Sequence, residues 1–188
     1  MPRSYTRASQ VSRILSFGEN AIVSKTQFVG YSGQGFWAYD LALGIFLKHL
    51  IDAAEASDYA GTPWLSSAIS NWRIVACISD FCLDFDLTLP EVERQVFITM
   101  AEDACTKLSQ RASIPAEEIA AWTILDDLRI FPRGATEVST APIVELGEAI
   151  VALISGTLPE APGGTLWFYG VPNGRTTIAA ALPRKPIA

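Results

Sequence analysis

Apolar residues recur at helical spacing over four long stretches of this chain, each bounded by a break that carries proline or glycine. From Phe36 to Ala56, Tyr39, Leu43, Phe46, Leu50 and Ala53 mark one face, while Lys48, Asp52 and Glu55 mark a wet face in the later half. That spacing predicts a helix. Its first half is apolar nearly all round, because Trp37, Leu41 and Ile45 fill the other side. Such a half-helix belongs in the centre of a core or in an interface, and a homodimer seam is one expectation.

A second helix is expected from Pro63 to about Asp84, with Thr62 as its N-cap and Pro63 as its first residue. Ser66, Ser70, Arg73, Cys77, Asp80 and Asp84 form its polar stripe, and Leu65, Ile69, Trp72, Val75 and Ile78 its buried sides. Phe81 to Leu89 also alternates apolar and polar, as a strand would; the unbroken stripe favours helix up to Asp84. Thr88-Leu89-Pro90-Glu91 has the spacing of a capping box and starts a third helix that runs to about Arg111. A shorter helix is expected from Pro115 to Ile124, then an edge strand from Asp126 to Pro132. The last helix opens at Pro142 and stops at Gly156.

Strand signals lie at the two ends. Ser12–Phe17 and Ala21–Val29 are rich in β-branched residues around a Gly18-Glu19-Asn20 break. Gly30-Tyr31-Ser32-Gly33-Gln34-Gly35 reads as a loop between strand and helix. Thr165–Val171 and Arg175–Ala181 flank Pro172-Asn173-Gly174 and predict a hairpin whose turn draws its positive φ values from Asn-Gly. The expected fold is therefore α+β and helix-dominated. About five helices combine with short N-terminal strands and a C-terminal β-hairpin in a single domain over residues 1–188, with residues 1–10 loose.

Composition narrows the class of partner. The chain is 49% hydrophobic and only 18% charged, with a net charge of −6. Between Asp80 and Asp127 eleven acids face three bases, a local excess of −8 that is larger than the excess of the whole chain. The average field repels nucleic acid and anionic lipid and favours a basic protein partner. No apolar stretch suits a secretory leader or a membrane span, and three cysteines without metal-ligand spacing read as reduced thiols. A cytoplasmic location and no cofactor are the expectations.

Candidate chemistry is sparse. The only histidine is His49. The glycine-rich stretch offers Gly30, Ser32, Gly33 and Gly35 as a ligand loop, but its spacing departs from that of a phosphate loop and no Lys-Ser/Thr follows. A nucleophile elbow needs a histidine late in the chain after an acid, and His49 lies too early for that order. Asp80, Asp84 and Asp86 form the densest carboxylate cluster; on one helix Asp80 and Asp84 would share a face. Trp167, Phe168 and Tyr169 are consecutive on one strand, so at least one must point away from its neighbours. An aromatic residue beside an acidic surface suits a protein-binding hot spot. The leading expectation is a non-enzymatic module, akin to bacterial immunity proteins, that binds a basic toxin through Asp80, Asp84, Asp86, Trp167 and Tyr169. The rival is a small hydrolase or transferase with its ligand at Gly30–Gly35.

Overall fold

A computed structural model describes residues 26–78, 81–132 and 134–179. The strand expected at Ser12–Phe17, the first residues of the next one, and residues 1–10, which were expected to be loose, lie outside that set. The first element is a hairpin: β1 (Thr26–Tyr31) and β2 (Gln34–Tyr39) pair antiparallel about the two-residue turn Ser32-Gly33. This corrects the expectation of a loop leading straight into a helix at Phe36. Ser32 and Gly33 both have positive φ, 50° and 76°, the combination that a type I′ turn needs. Phe36 and Ala38 are fully buried while Trp37 and Tyr39 are only half-buried, the period of two that marks a strand.

Helix α1 (Asp40–Glu55) then runs through the middle of the molecule, buried on almost every side from Asp40 to Leu47. Its all-round apolar start serves the core. Helix α2 (Pro63–Cys77) follows, with Thr62 at its N-cap position, although the Thr62 hydroxyl donates to the Tyr59 carbonyl instead of capping the helix. The helix stops at Cys77, seven residues before Asp84, because Leu83–Asp84 is drawn out as β3 beside β1. Gln27, buried on β1, fixes that exit: its Nε2 donates to the carbonyls of Val75, Ile78 and Phe81 at 3.0–3.1 Å.

Single 3-10 turns at Phe85–Leu87 and Glu91–Glu93 lead to α3 (Arg94–Ser109). The expected capping box does not form. The Thr88 hydroxyl donates to the Asp84 carbonyl, and Pro90 caps a 3-10 turn, which delays the α-helix to Arg94. β4 (Ser113–Pro115) precedes α4 (Ala116–Ala121) and pairs with β5 (Glu137–Ser139) in a separate two-stranded sheet. The expected strand from Asp126 to Pro132 is only a bridge between Leu125 and Leu128, with Asp126 at φ 48°. Helix α5 (Ala141–Ile154) ends at Gly156, whose φ of 73° supplies the left-handed stop. β6 (Thr165–Tyr169) and β7 (Thr176–Ala179) close the C-terminal hairpin. Its turn is wider than expected: the Gly174 amide donates to the Val171 carbonyl, and Gly174 rather than Asn173 takes the positive φ.

The main sheet has the order β3-β1-β2-β6-β7, with parallel pairs β1/β3 and β2/β6 and antiparallel pairs β1/β2 and β6/β7. One face, carrying Val29, Phe36, Ala38, Leu83 and Tyr169, joins the core against α1 and α5. Behind it α1 packs on α2 and α3, where Trp72, Phe85 and Phe97 meet edge to face. The fold class is α+β, with five helices among the described residues.

Candidate functional site

The two carboxylates of the Asp84-x-Asp86 motif sit at the edge of the sheet, and the fold brings them to the glycine-rich stretch. Asp84 Oδ1 accepts from the Asp86 backbone amide at 2.9 Å and so caps the 3-10 turn. Both Asp86 oxygens accept from the Ser32 backbone amide, at 3.1 and 2.9 Å. Asp86 therefore clasps the tip of the β1–β2 hairpin, and Asp84 holds the turn that presents it. Asp80 lies outside the described residues. The expected sharing of one helix face by Asp80 and Asp84 does not arise, because α2 has ended and Asp84 is in a strand.

The same geometry removes the ligand-loop context. Gly30 and Gly35 face each other as a cross-strand pair, and Ser32-Gly33 is a hairpin turn and not the mouth of a helix. The Ser32 amide, which an anion would need, is already held by a carboxylate. Gly35 is required for close approach: a Cβ there would lie 2.3 Å from the Val29 carbonyl and 2.5 Å from the Phe28 ring. His49 is committed elsewhere. Its Nδ1 is 3.0 Å from the Ile45 carbonyl, and its ring meets Trp122 edge to face at 5.7 Å. Burial pushes its pKa below the usual 6.5, outweighing the Ile45 carbonyl and Asp52, which pull the other way.

Cysteine chemistry is also muted where it is buried. Desolvation pushes the Cys105 thiol up to about 12, with Glu148 and Glu102 adding to the effect, and raises Cys77 as well. Neither forms thiolate readily. Among the described residues no three His, Cys, Asp or Glu side chains gather closely enough to hold a metal ion. Nor is any helix there long and apolar enough to cross a membrane. An open groove of about 500 Å³ lies between the end of α1 and α3, floored by Ala53, Val96 and Met100.

The aromatic run divides as alternation demands. Tyr169 is buried against Phe36, ring centroids 4.9 Å apart, which corrects its expected place on a partner-binding surface. Trp167 is half-buried on the same side: its Nε1 donates to the Pro159 carbonyl at 2.8 Å and the Arg175 guanidinium covers its ring at 4.9 Å. Phe168 points the other way, paired with Trp37 of β2.

No protein family, curated protein or solved structure matches this chain.

Sequence reasoning missed a group of exposed apolar side chains. Leu87 and Val92 are each 84% exposed and Phe81 is 50% exposed, all within the segment that carries Asp84, Asp86, Glu91 and Glu93, while Phe131, 73% exposed, lies outside it. The next base along the chain, Arg94, is engaged by Glu91 at 3.2 Å. The signal was present in the sequence: apolar residues set singly between acids, on a stretch too short and proline-broken to bury them in a helix.

Proposed function

We propose that this chain is a non-enzymatic protein-binding module that engages a basic protein through its acidic segment from Phe81 to Glu93. One observation carries the proposal: Leu87 and Val92 stand almost fully exposed between carboxylates. Burying such a side chain in an interface contributes roughly 1.5–3 kcal/mol, and the surrounding acids steer a cationic partner and set its orientation. The reading retains Asp84 and Asp86 from the sequence expectation, replaces Trp167 and Tyr169 with Leu87 and Val92, and drops the glycine-rich loop.

The narrower form is an immunity-type protein of bacterial kind that occludes the active site of a basic toxin. It rests on composition and on this patch. The test is affinity capture from a native lysate of the source cell, with the wild-type chain and with Leu87→Asp/Val92→Asp in parallel. A specific basic protein is expected to be held by the wild type, released by high salt and lost by the variant. An enzymatic activity of that protein that is silenced by the wild-type chain supports the narrower form. Retention of no protein, or of one indifferent to both salt and the substitutions, refutes the proposal.

A further inference from the structure

The main sheet is apolar on both faces. On the side away from α1 and α5 it presents Phe28 on β1, Trp37 on β2, Leu166 and Phe168 on β6 and Ile178 on β7, which strand pairing sets in two adjacent rows. These five side chains are half-buried, and none packs against the core. Phe28 and Trp37 meet edge to face at 5.5 Å, so the patch is itself ordered. A sheet with one solvated face normally alternates apolar with polar residues, and apolar residues on both faces are the pattern of a sheet covered on both sides. Among the described residues, no helix takes the second side.

We infer that this outer face is an interaction surface whose occupant is the segment of residues 1–25 of the same chain. The segment joins the sheet at Thr26, the first residue of β1, which alternation places on the outer face with Phe28. Twenty-five residues reach up to about 80 Å when extended, whereas five strands span only about 20 Å. The composition fits the surface. Val11, Ile14, Leu15, Phe17, Ile22 and Val23 match the apolar rows. Arg3, Arg7, Arg13 and Lys25 outnumber the single acid Glu19, while the remainder of the chain has nineteen acids against ten bases. Asp84, on the outer side beside Gly30, and Asp86 at the hairpin tip mark the acidic border of the patch.

The test uses the full chain with p-benzoylphenylalanine in place of Phe168, irradiated as an equal mixture of light and heavy isotope forms and then digested. Position 168 is expected to cross-link to peptides from residues 1–25, light with light and heavy with heavy. Adding Ile14→Asp and Leu15→Asp should remove the cross-link while thermal unfolding stays cooperative. Light–heavy pairs would place a second copy on the face and overturn the inference. It is also overturned by a digest with no peptide from residues 1–25 joined to position 168, or by a cross-link that survives the double substitution. The cross-link is read at position 168 and does not depend on any partner at Leu87 and Val92, neither of which belongs to a strand of the sheet.

Discussion

Replacing Gln27 by leucine probes how the end of α2 is held to the sheet. The Gln27 amide nitrogen has two hydrogens and faces three carbonyls, those of Val75 at 3.1 Å, Ile78 at 3.0 Å and Phe81 at 3.1 Å, so one hydrogen bond is shared. Three acceptors around one atom also fix which end of the amide is nitrogen. Gln27 is 2% exposed, so leucine of similar volume fills the space but donates nothing. Two neutral hydrogen bonds at about 1 kcal/mol each, plus the cost of stranding a buried carbonyl, total about 3 kcal/mol. For a chain of this length that lowers the melting temperature by about 6–12 °C. Urea unfolding followed by tryptophan fluorescence gives the energy, and amide exchange gives its location, with loss of protection expected first around Ile78 and Phe81. A variant within about 0.5 kcal/mol of wild type would refute the view that this amide anchors the helix exit.

Three further outcomes follow from the same structure. Asp86→Ala frees the Ser32 amide and should lower the melting temperature by about 2–4 °C while raising amide exchange at the hairpin tip; unchanged exchange at Ser32 counts against the clasp. Because burial holds His49 below 6.5, the unfolded chain takes up a proton there as pH falls through about 6.5 while the native chain does not. Stability should therefore decline with falling pH from that point to the lower native value, and His49→Gln should flatten this part of the curve in urea titrations at about pH 7.5 and about pH 5.5. Brief iodoacetamide labelling should modify the exposed Cys82 first and Cys105, raised to about 12, last; mass spectrometry showing the reverse order would contradict the burial.

Much of the helical frame was legible in the sequence, because Leu43, Phe46 and Leu50 on α1, or Leu146, Ile150 and Ile154 on α5, repeat with the period of a helix and meet the core with it. Trp37 and Leu41 were misleading: four residues apart, they suit one helix, yet the chain crosses from strand to helix between them at Tyr39–Asp40. Local spacing cannot register that β6, far along the chain, supplies the neighbour that makes β2 worth extending. The end of α2 was misplaced for the same reason, since Leu83 and Asp84 are extended by pairing with Val29 and Gly30. The acidic cluster was visible as composition, but its engagement with Ser32 was not, because a backbone amide 54 residues away leaves no mark in the side-chain pattern.

The order of strands has a bearing on how the protein is made. β2 finds its parallel neighbour only when Phe168 arrives beside Trp37, about 130 residues later. At roughly 5–20 residues per second the nascent chain spends on the order of ten seconds with one side of β2 unsatisfied. A hairpin that carries Phe28 and Trp37 is adhesive during that interval, so yield in cells should depend on holdase chaperones more than on the strength of the finished fold.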